Sequence, residues 1–449
     1  MARYLECFDV KPYLYINEGK IHGVTDYNIE KILADKVQTL IIVDSLDSDV
    51  DNYKKIYENN IQIVVADHHT VNPDIPYGDY VTLVSSDVDY SDDLCGCGVT
   101  WSICRKIDEK LGTNDALYLT DLVANATVAD MVSLDENNMQ NRAIVNYGLS
   151  KICNPALLRI GGNYEWNTKT IAFGVAPRVN SCNRLNKNEI PLYAFLSDDE
   201  VEIKKYAKLL DKCKEEQNIE VQRLYEEAIE QCSSQSEYKM LVVFTEPKYA
   251  INGVLANKLL EVYGKPILCL TKNGDAYGGS MRAIGVENFR QILEDTGLCE
   301  AHGHNSASGC VIKVKDFDLF RDKIEESLKD IEFVSETVVD AQIDAWDVDS
   351  TLLEEVKKID RISGQGFPAL KFLIEIDDFT VEKLSKGKHL GIRSANMLFI
   401  KWNFNDDELY ERLEDAAMCG DTIKCIGSLE GSFVYKTFNK MILDDIIVN

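Results

Sequence analysis

The chain has 449 residues, 45% of them hydrophobic and 27% charged, enough for about three domains of roughly 100–200 residues each. No run approaches the roughly 18 consecutive apolar residues that span a bilayer. Met1-Ala-Arg-Tyr-Leu-Glu-Cys-Phe-Asp puts acids where a signal peptide has its apolar core, so a cytoplasmic location is expected. A net charge of −27 excludes a global basic field of the kind that draws proteins onto nucleic acid. Two strips run against it: residues 151–188 carry six basic residues with Glu165 as the one acid, and residues 383–393 carry four with none.

In chain order, the first 190 residues alternate short apolar runs with helical patterns, which predicts a parallel α/β sheet. Its strands are expected at 13–16, 39–43, 61–65 and 80–84, with a polar helix over 50–59. A long helix follows at 197–232. Ser197-Asp-Asp-Glu caps its start, and Tyr206, Leu209, Leu210, Cys213, Val221, Leu224 and Ala228 form its apolar stripe. At 1.5 Å per residue it would run about 54 Å, long enough to bridge two domains. A second α/β unit begins at Met240-Leu-Val-Val-Phe, with a helix over 253–263, a strand over 266–270 and Gly278-Gly-Ser beyond. From about Val334 the pattern changes to short strands at 370–376, 379–384, 397–404 and 422–428, which reads as a small OB-like β-barrel. The expected domains are therefore 1–195, a connecting helix 196–235, 236–332 and 333–449.

The thirteen cysteines run from Cys7 to Cys425 without a CxxC pair and read as reduced thiols, mostly core fillers. Cys95-Gly-Cys97-Gly offers two thiols and no second pair, so a structural role is expected there rather than zinc.

Ile61-Gln-Ile-Val-Val-Ala-Asp67-His68-His69 delivers a carboxylate and two imidazoles to a strand's C-terminal edge, where open α/β sheets hold ligands. Alone, that trio would read as a hydrogen-bonded Asp-His at a strand end. Leu40-Ile-Ile-Val-Asp44 is a second apolar strand ending in a carboxylate, and Ala124-Asn-Ala-Thr-Val-Ala-Asp130 places a third after a helical stretch. Together they make an oxygen- and nitrogen-rich set suited to Mn²⁺ or Mg²⁺.

These residues resemble the DHH phosphoesterases, whose name is the Asp67-His68-His69 triplet, and in particular their RecJ branch. Asp44 matches the second motif, and Ala-Thr-Val-Ala-Asp130 with Asn141-Arg142 resembles the fourth. Ala176-Pro-Arg178-Val-Asn180-Ser-Cys-Asn-Arg184-Leu resembles APRxNAAGRL, departing from it at Ser181-Cys182-Asn183. Gly279-Ser280-Met-Arg282 and Ala301-His-Gly303-His304-Asn-Ser-Ala-Ser-Gly309 resemble the Gly-Ser-x-Arg and GGHxxAAG segments of the DHH-associated domain. Ile251-Asn-Gly-Val-Leu-Ala-Asn257 matches a helix start there. Ile362-Ser-Gly-Gln-Gly-Phe-Pro resembles the segment leading into the OB-like domain.

The resemblance implies roles. Asp44, His68 and Asp130 would ligate metal, with Asp67 beside them as ligand or catalytic support, and His69 would contact the scissile phosphate. Arg178, Asn180, Arg184, Ser280, Arg282, Gly303 and His304 would hold the substrate. His302 has no counterpart in the loop pattern and reads as incidental. The resemblance also implies an Asp-x-Asp motif ahead of Met1-Ala-Arg-Tyr-Leu-Glu. Asp47 and Asp49 would not replace it, so one of two metals is expected to be impaired, whether through a late start, a split gene or degeneration.

The implied activity is metal-dependent degradation of single-stranded DNA, 5′ to 3′ to mononucleotides, in DNA repair or recombination. A single-strand-binding protein or helicase is the expected class of protein partner, with no membrane. The rival readings are a DHH oligoribonuclease or cyclic-dinucleotide phosphodiesterase, which the β-rich tail opposes, and a catalytically inactive single-strand-binding relative.

Overall fold

The apolar run at 39–43 and the one ending in Asp67 form parallel strands β1 (Thr39–Val43) and β2 (Gln62–Asp67), joined by β3 (Thr82–Ser85) in the order β1-β2-β3. The computed structural model describes residues 1–17, 21, 23–46, 50–89, 93–162, 165–333, 337–404, 406–430 and 439–448. Ile42, Ile63 and Val65 face a core shared with Ile32, Tyr53 and Ile56 of flanking helices, as a sheet covered by crossover helices requires. Residues 13–16 form no strand. Tyr13, Leu14 and Ile16 are exposed, and no described strand lies beside them. A β-prone sequence becomes a strand only with a neighbour to complete its ladder.

By its internal packing the chain forms two units. One comprises Met1–Tyr15, His22–Ala176 and Val338–Asn449, the other Ile16–Ile21 and Pro177–Thr337. The long helix, Glu200–Ser233, starts two residues later than its cap suggested, because Asp199 rather than Ser197 accepts the amides of Val201 and Glu202. It lies wholly in the second unit. There Val221, Leu224, Ala228 and Cys232 pack against β4 (Leu241–Phe244), β5 (Ile267–Asn273) and the helix Asn252–Tyr263.

The second unit's sheet continues through β6 (Ala276–Arg282), β7 (Cys299–His304) and β8 (Ala307–Lys313), in the order β4-β5-β6-β8-β7. Only β4 and β5 pair in parallel. The glycine-rich stretch at 278–280 thus lies within a strand.

The C-terminal strands are β9 (Ala341–Gln342), β10 (Phe372–Ile376), β11 (Thr380–Leu384), β12 (His389–Ser394), β13 (Met397–Lys401), β14 (Ile423–Glu430) and β15 (Asn439–Val448). Their order is β11-β12-β13-β15-β14-β10-β9. Among the described residues no pairing joins the edges β11 and β9, so the expected closed barrel is replaced by a mixed seven-stranded sheet. Closure depends on strand tilt and stagger, which a pattern of short strands does not encode. Among the described residues no helix is long and apolar enough to cross a membrane.

Candidate functional site

Parallel pairing of β1 with β2 brings the ends of both strands to one edge. Asp44 follows β1 directly, its amide donating to the Ala66 carbonyl at 2.9 Å and its backbone in the left-handed region at φ 55°. A non-glycine residue enters that region at some cost and usually for a local reason. Here the turn sets the Asp44 carboxylate beside His68, whose Nε2 lies 3.3 Å from Asp44 Oδ1 and 3.5 Å from Asp130 Oδ2. Asp130 caps the C-terminal end of the helix Thr120–Ala129. That helix sits tight against its neighbour Met139–Ser150, because Gly148 leaves no Cβ to meet Ala124 Cβ and the Thr120 carbonyl, both 2.5 Å from where one would stand.

Asp67 plays a different part. Its fully buried carboxylate accepts the amides of His68 (2.6 Å), His69 (2.9 Å) and Leu46, and His69 Nδ1 at 2.6 Å. Burial pushes its pKa up, but the bonds from the His69 ring and from the His69 and Leu46 amides outweigh that and hold it down at about 2. Asp67 thus orients His69 through Nδ1, while roughly half of that side chain, 54%, stays open to solvent. Both histidines titrate above the ordinary value, His68 through its hydrogen bond to Asp44 and His69 through its bond to Asp67.

Ligand atoms of Asp44, Asp67, His68 and His69 all lie within 4.8 Å of one another. The side chains of Asp44 and Asp130 are 57% and 47% exposed, so an ion can reach them. Two carboxylates and an imidazole around one point fit Mn²⁺ or Mg²⁺. Asp47 and Asp49 lie outside the described residues.

The Cys95-Gly-Cys-Gly segment packs against this cluster. Cys95 Sγ accepts the Gly98 amide and so caps the helix Gly96–Leu111. A Cβ on Gly96 would stand 2.7 Å from Asp44 Cβ. Sequence reading passed over Gly96, because that contact is between residues far apart in the chain.

The loop after Asp130 is held from the C-terminal side. The Leu134 amide donates to the Gln365 carbonyl at 2.7 Å. Arg142 Nε donates to the Leu134 carbonyl, and its guanidinium lies 4.1 Å over the Phe367 ring. Gly366, at φ 71°, passes so close to Ser133 and Asp135 that a Cβ would stand 2.7 Å from Ser133 Oγ. Asn141 is buried and donates to the carbonyls of Asp93 and Ser133.

In the second unit, Arg178 Nε pairs with Asp211 at 2.6 Å, Asn180 is exposed, and Arg184 donates to Gln217 at 2.9 Å. Arg184 is pushed down by burial and then by Arg282, and Lys214 by burial and then by Arg184 and Arg178. Burial also lowers Arg282. Cations that depress one another suit an anionic ligand. Lys214 escaped sequence reading because nothing separates it from the other lysines of the long helix. Gly253 opens the next helix where any Cβ would stand 2.7 Å from Arg282 Nη2 and 3.6 Å from Ser280 Oγ. Gly303 takes φ 119°, and His304 ends β7 exposed.

The profile of the DHH family, N-terminal domain, matches residues 1–127. The chain is 28% identical over 439 residues to YorK of Bacillus subtilis, a candidate SPbeta-prophage single-strand DNA-specific exonuclease, covering 88% of this chain and 73% of that one. It is 26% identical over 380 residues to the single-stranded-DNA-specific exonuclease RecJ of Thermus thermophilus, spanning 82% of this chain and 55% of that protein. The crystal structure of Thermus thermophilus RecJ in complex with Mn²⁺ shares the fold at a TM-score of 0.78 and 21% identity, covering 100% of this chain and 66% of that one. Residues 1–127 thus match the N-terminal domain of the DHH family, and along most of its length the chain is similar in sequence and fold to RecJ-type exonucleases.

Proposed function

We propose that the protein hydrolyses phosphodiester bonds in single-stranded DNA with Mn²⁺ or Mg²⁺, running 5′ to 3′ and releasing mononucleotides. The observation that carries this reading is the meeting of Asp44 and Asp130 on His68 at one sheet edge. Asp44, His68 and Asp130 would hold the ion, which supplies Lewis acidity toward the phosphodiester. His68 would hold the ion as the neutral imidazole. His69, fixed by Asp67 and favouring its protonated form, would present positive charge to a phosphate.

Arg178, Asn180, Arg184, Lys214, Ser280, Arg282, Gly303 and His304 would hold the strand's phosphates. In this reading residues 1–195 form the catalytic part, 236–332 hold substrate, and the mixed sheet of 333–449 adds single-strand affinity. A role in repair or recombination in the cytoplasm, beside a single-strand-binding protein or helicase, follows from the same reading.

The test is incubation of end-labelled single strands with the protein and Mn²⁺. Release of mononucleotides from the 5′ end, abolished by Asp130→Ala and by chelator, is expected. Binding without release, unaltered by Asp130→Ala, would overturn hydrolysis in favour of a binding-only relative.

A further inference from the structure

One face of the second unit's sheet is core. Leu268, Leu270, Met281, Ala301, Cys310 and Ile312 pack there against two helices. On the opposite face, the helix Asn252–Tyr263 packs over β5 and β6, its start against Ser280 and Arg282, while Gly309 and Val311 of β8 and Glu300, His302 and His304 of β7 stay exposed. Side chains alternate along a strand, so registered partners share a face. The ladder puts Ser280 opposite Gly309 and Gly309 opposite His302. The next row runs Arg282, Ala307, His304, and the row on the other side Gly278, Val311, Glu300.

His302 therefore stands in line with Ser280, two strand spacings away, with only a glycine between them. Nothing lies within 4 Å of where a Cβ on Gly278 would stand, and Gly309 has only carbonyl oxygens at 3.7 and 3.8 Å. The floor between the polar groups is therefore flat. Ser280, Arg282 and the start of the covering helix lie at one end of this floor, and His302 and His304 at the other, roughly 10 Å apart at about 4.8 Å per strand. Glu300 lies one row further along, beyond Val311.

We infer that His302 is a substrate-binding residue that takes the second phosphate of a nucleic-acid strand whose first phosphate is held by Ser280 and Arg282. The inference rests on the reading of this face as the side that holds the strand. A glycine floor lets a sugar-phosphate backbone lie across β8, and an imidazole at its far side donates to the next phosphate. Such backbone contacts position a strand without reading its sequence.

The test is competition against a labelled oligothymidylate, in chelator so that no divalent ion contributes, by 5′-phosphorylated thymidine mono- and dinucleotide. His302→Ala should weaken the dinucleotide about tenfold or more, the range of one hydrogen bond to a charged group, and leave the mononucleotide unchanged. His302→Gln, which keeps a donor, should fall between. Arg282→Ala should weaken both ligands. The melting temperature of His302→Ala should match the parent, since the residue is exposed. Unchanged dinucleotide binding in His302→Ala, with both ligands weakened by Arg282→Ala, would overturn the role of His302 and leave the reading of the face standing. Equal loss for both ligands in His302→Ala would overturn the second-phosphate assignment. If Arg282→Ala alters neither ligand, the reading of the face fails and the inference with it.

Discussion

Gly96 leaves room for Asp44: a Cβ at position 96 would fall 2.7 Å from the Asp44 Cβ and Cγ and overlap its Oδ1. Gly96 also opens a sixteen-residue helix, where alanine is otherwise the better residue by up to about 1 kcal/mol. The two effects have opposite signs. Gly96→Ala should weaken Mn²⁺ binding tenfold or more, of the order seen when groups supporting a ligand are altered, while thermal stability without metal falls only modestly, since the helix gain offsets part of an overpacking cost of about 1–3 kcal/mol. Calorimetric titration with Mn²⁺ beside a metal-free melt checks both, and unaltered Mn²⁺ affinity would contradict the contact.

His68 gives the site a pH dependence. Its hydrogen bond to Asp44 raises its pKa above the ordinary 6.5, so the protonated ring stabilises the metal-free fold. That contribution is complete below about pH 6.5 and is lost as pH rises through the raised folded value. Metal requires the neutral ring, so its effect runs the other way. The rise in melting temperature on adding Mn²⁺ should be small near pH 5.5, grow with pH, and level off only above the raised pKa. Asp44→Asn removes the main cause of the shift and should move the midpoint of that growth downward while lowering the plateau. A stabilisation by Mn²⁺ independent of pH would show that His68 is not a ligand.

The contact of Arg142 with Phe367 ties the segment leading into the C-terminal sheet to the loop that follows Asp130. Arg142→Ala removes a hydrogen bond from a charged donor and a cation over a ring, together about 1–3 kcal/mol. Arg142→Lys keeps the charge but not the planar donor and should recover less than half. Because Leu134 lies four residues beyond Asp130, Mn²⁺ affinity should fall with stability in both variants. Denaturant melts with Mn²⁺ titrations on the same samples would separate this from general loosening, in which affinity stays at the parent value.

The clustering of the site's side chains was legible because strand periodicity places a strand's last residue at a sheet edge, and Asp44 and Asp67 each end an apolar run. Gly96, Lys214 and the Leu134–Gln365 bond were not, since each depends on a contact between segments distant in sequence. The segment 13–16 misled because alternation gives a strand's tendency and not its partner. The division of labour around Asp67 needed coordinates: the sequence names the carboxylate, but only the four donors around it reveal that it orients its neighbours.

The C-terminal basic strip narrows in the same way. Phe379 is 5% exposed within the sheet's core, so it offers no face to a base. Lys383 is held by Asp407 at 3.0 Å and Arg393 by Glu382 at 2.7 Å. Lys386 and Lys388 remain exposed on the turn between β11 and β12, with no ion pair among the described residues. Trp402 is 51% exposed, its ring 4.6 Å from that of His389, a platform that a base can cover. Stacking on such a ring is worth roughly 1–3 kcal/mol per base, and each phosphate neutralised adds a little under one unit to the salt slope. Trp402→Ala should therefore weaken oligothymidylate binding about fivefold or more at every salt concentration. Lys386→Glu with Lys388→Glu should weaken it mainly at low salt and flatten the slope by between one and two units. Phe379→Ala, by contrast, should lower stability by about 3–5 kcal/mol as a core truncation. Fluorescence anisotropy from 50 to 300 mM salt separates the first two and a denaturant melt reads the third, and a salt slope unaltered by the double lysine variant would take this turn out of the path of the strand.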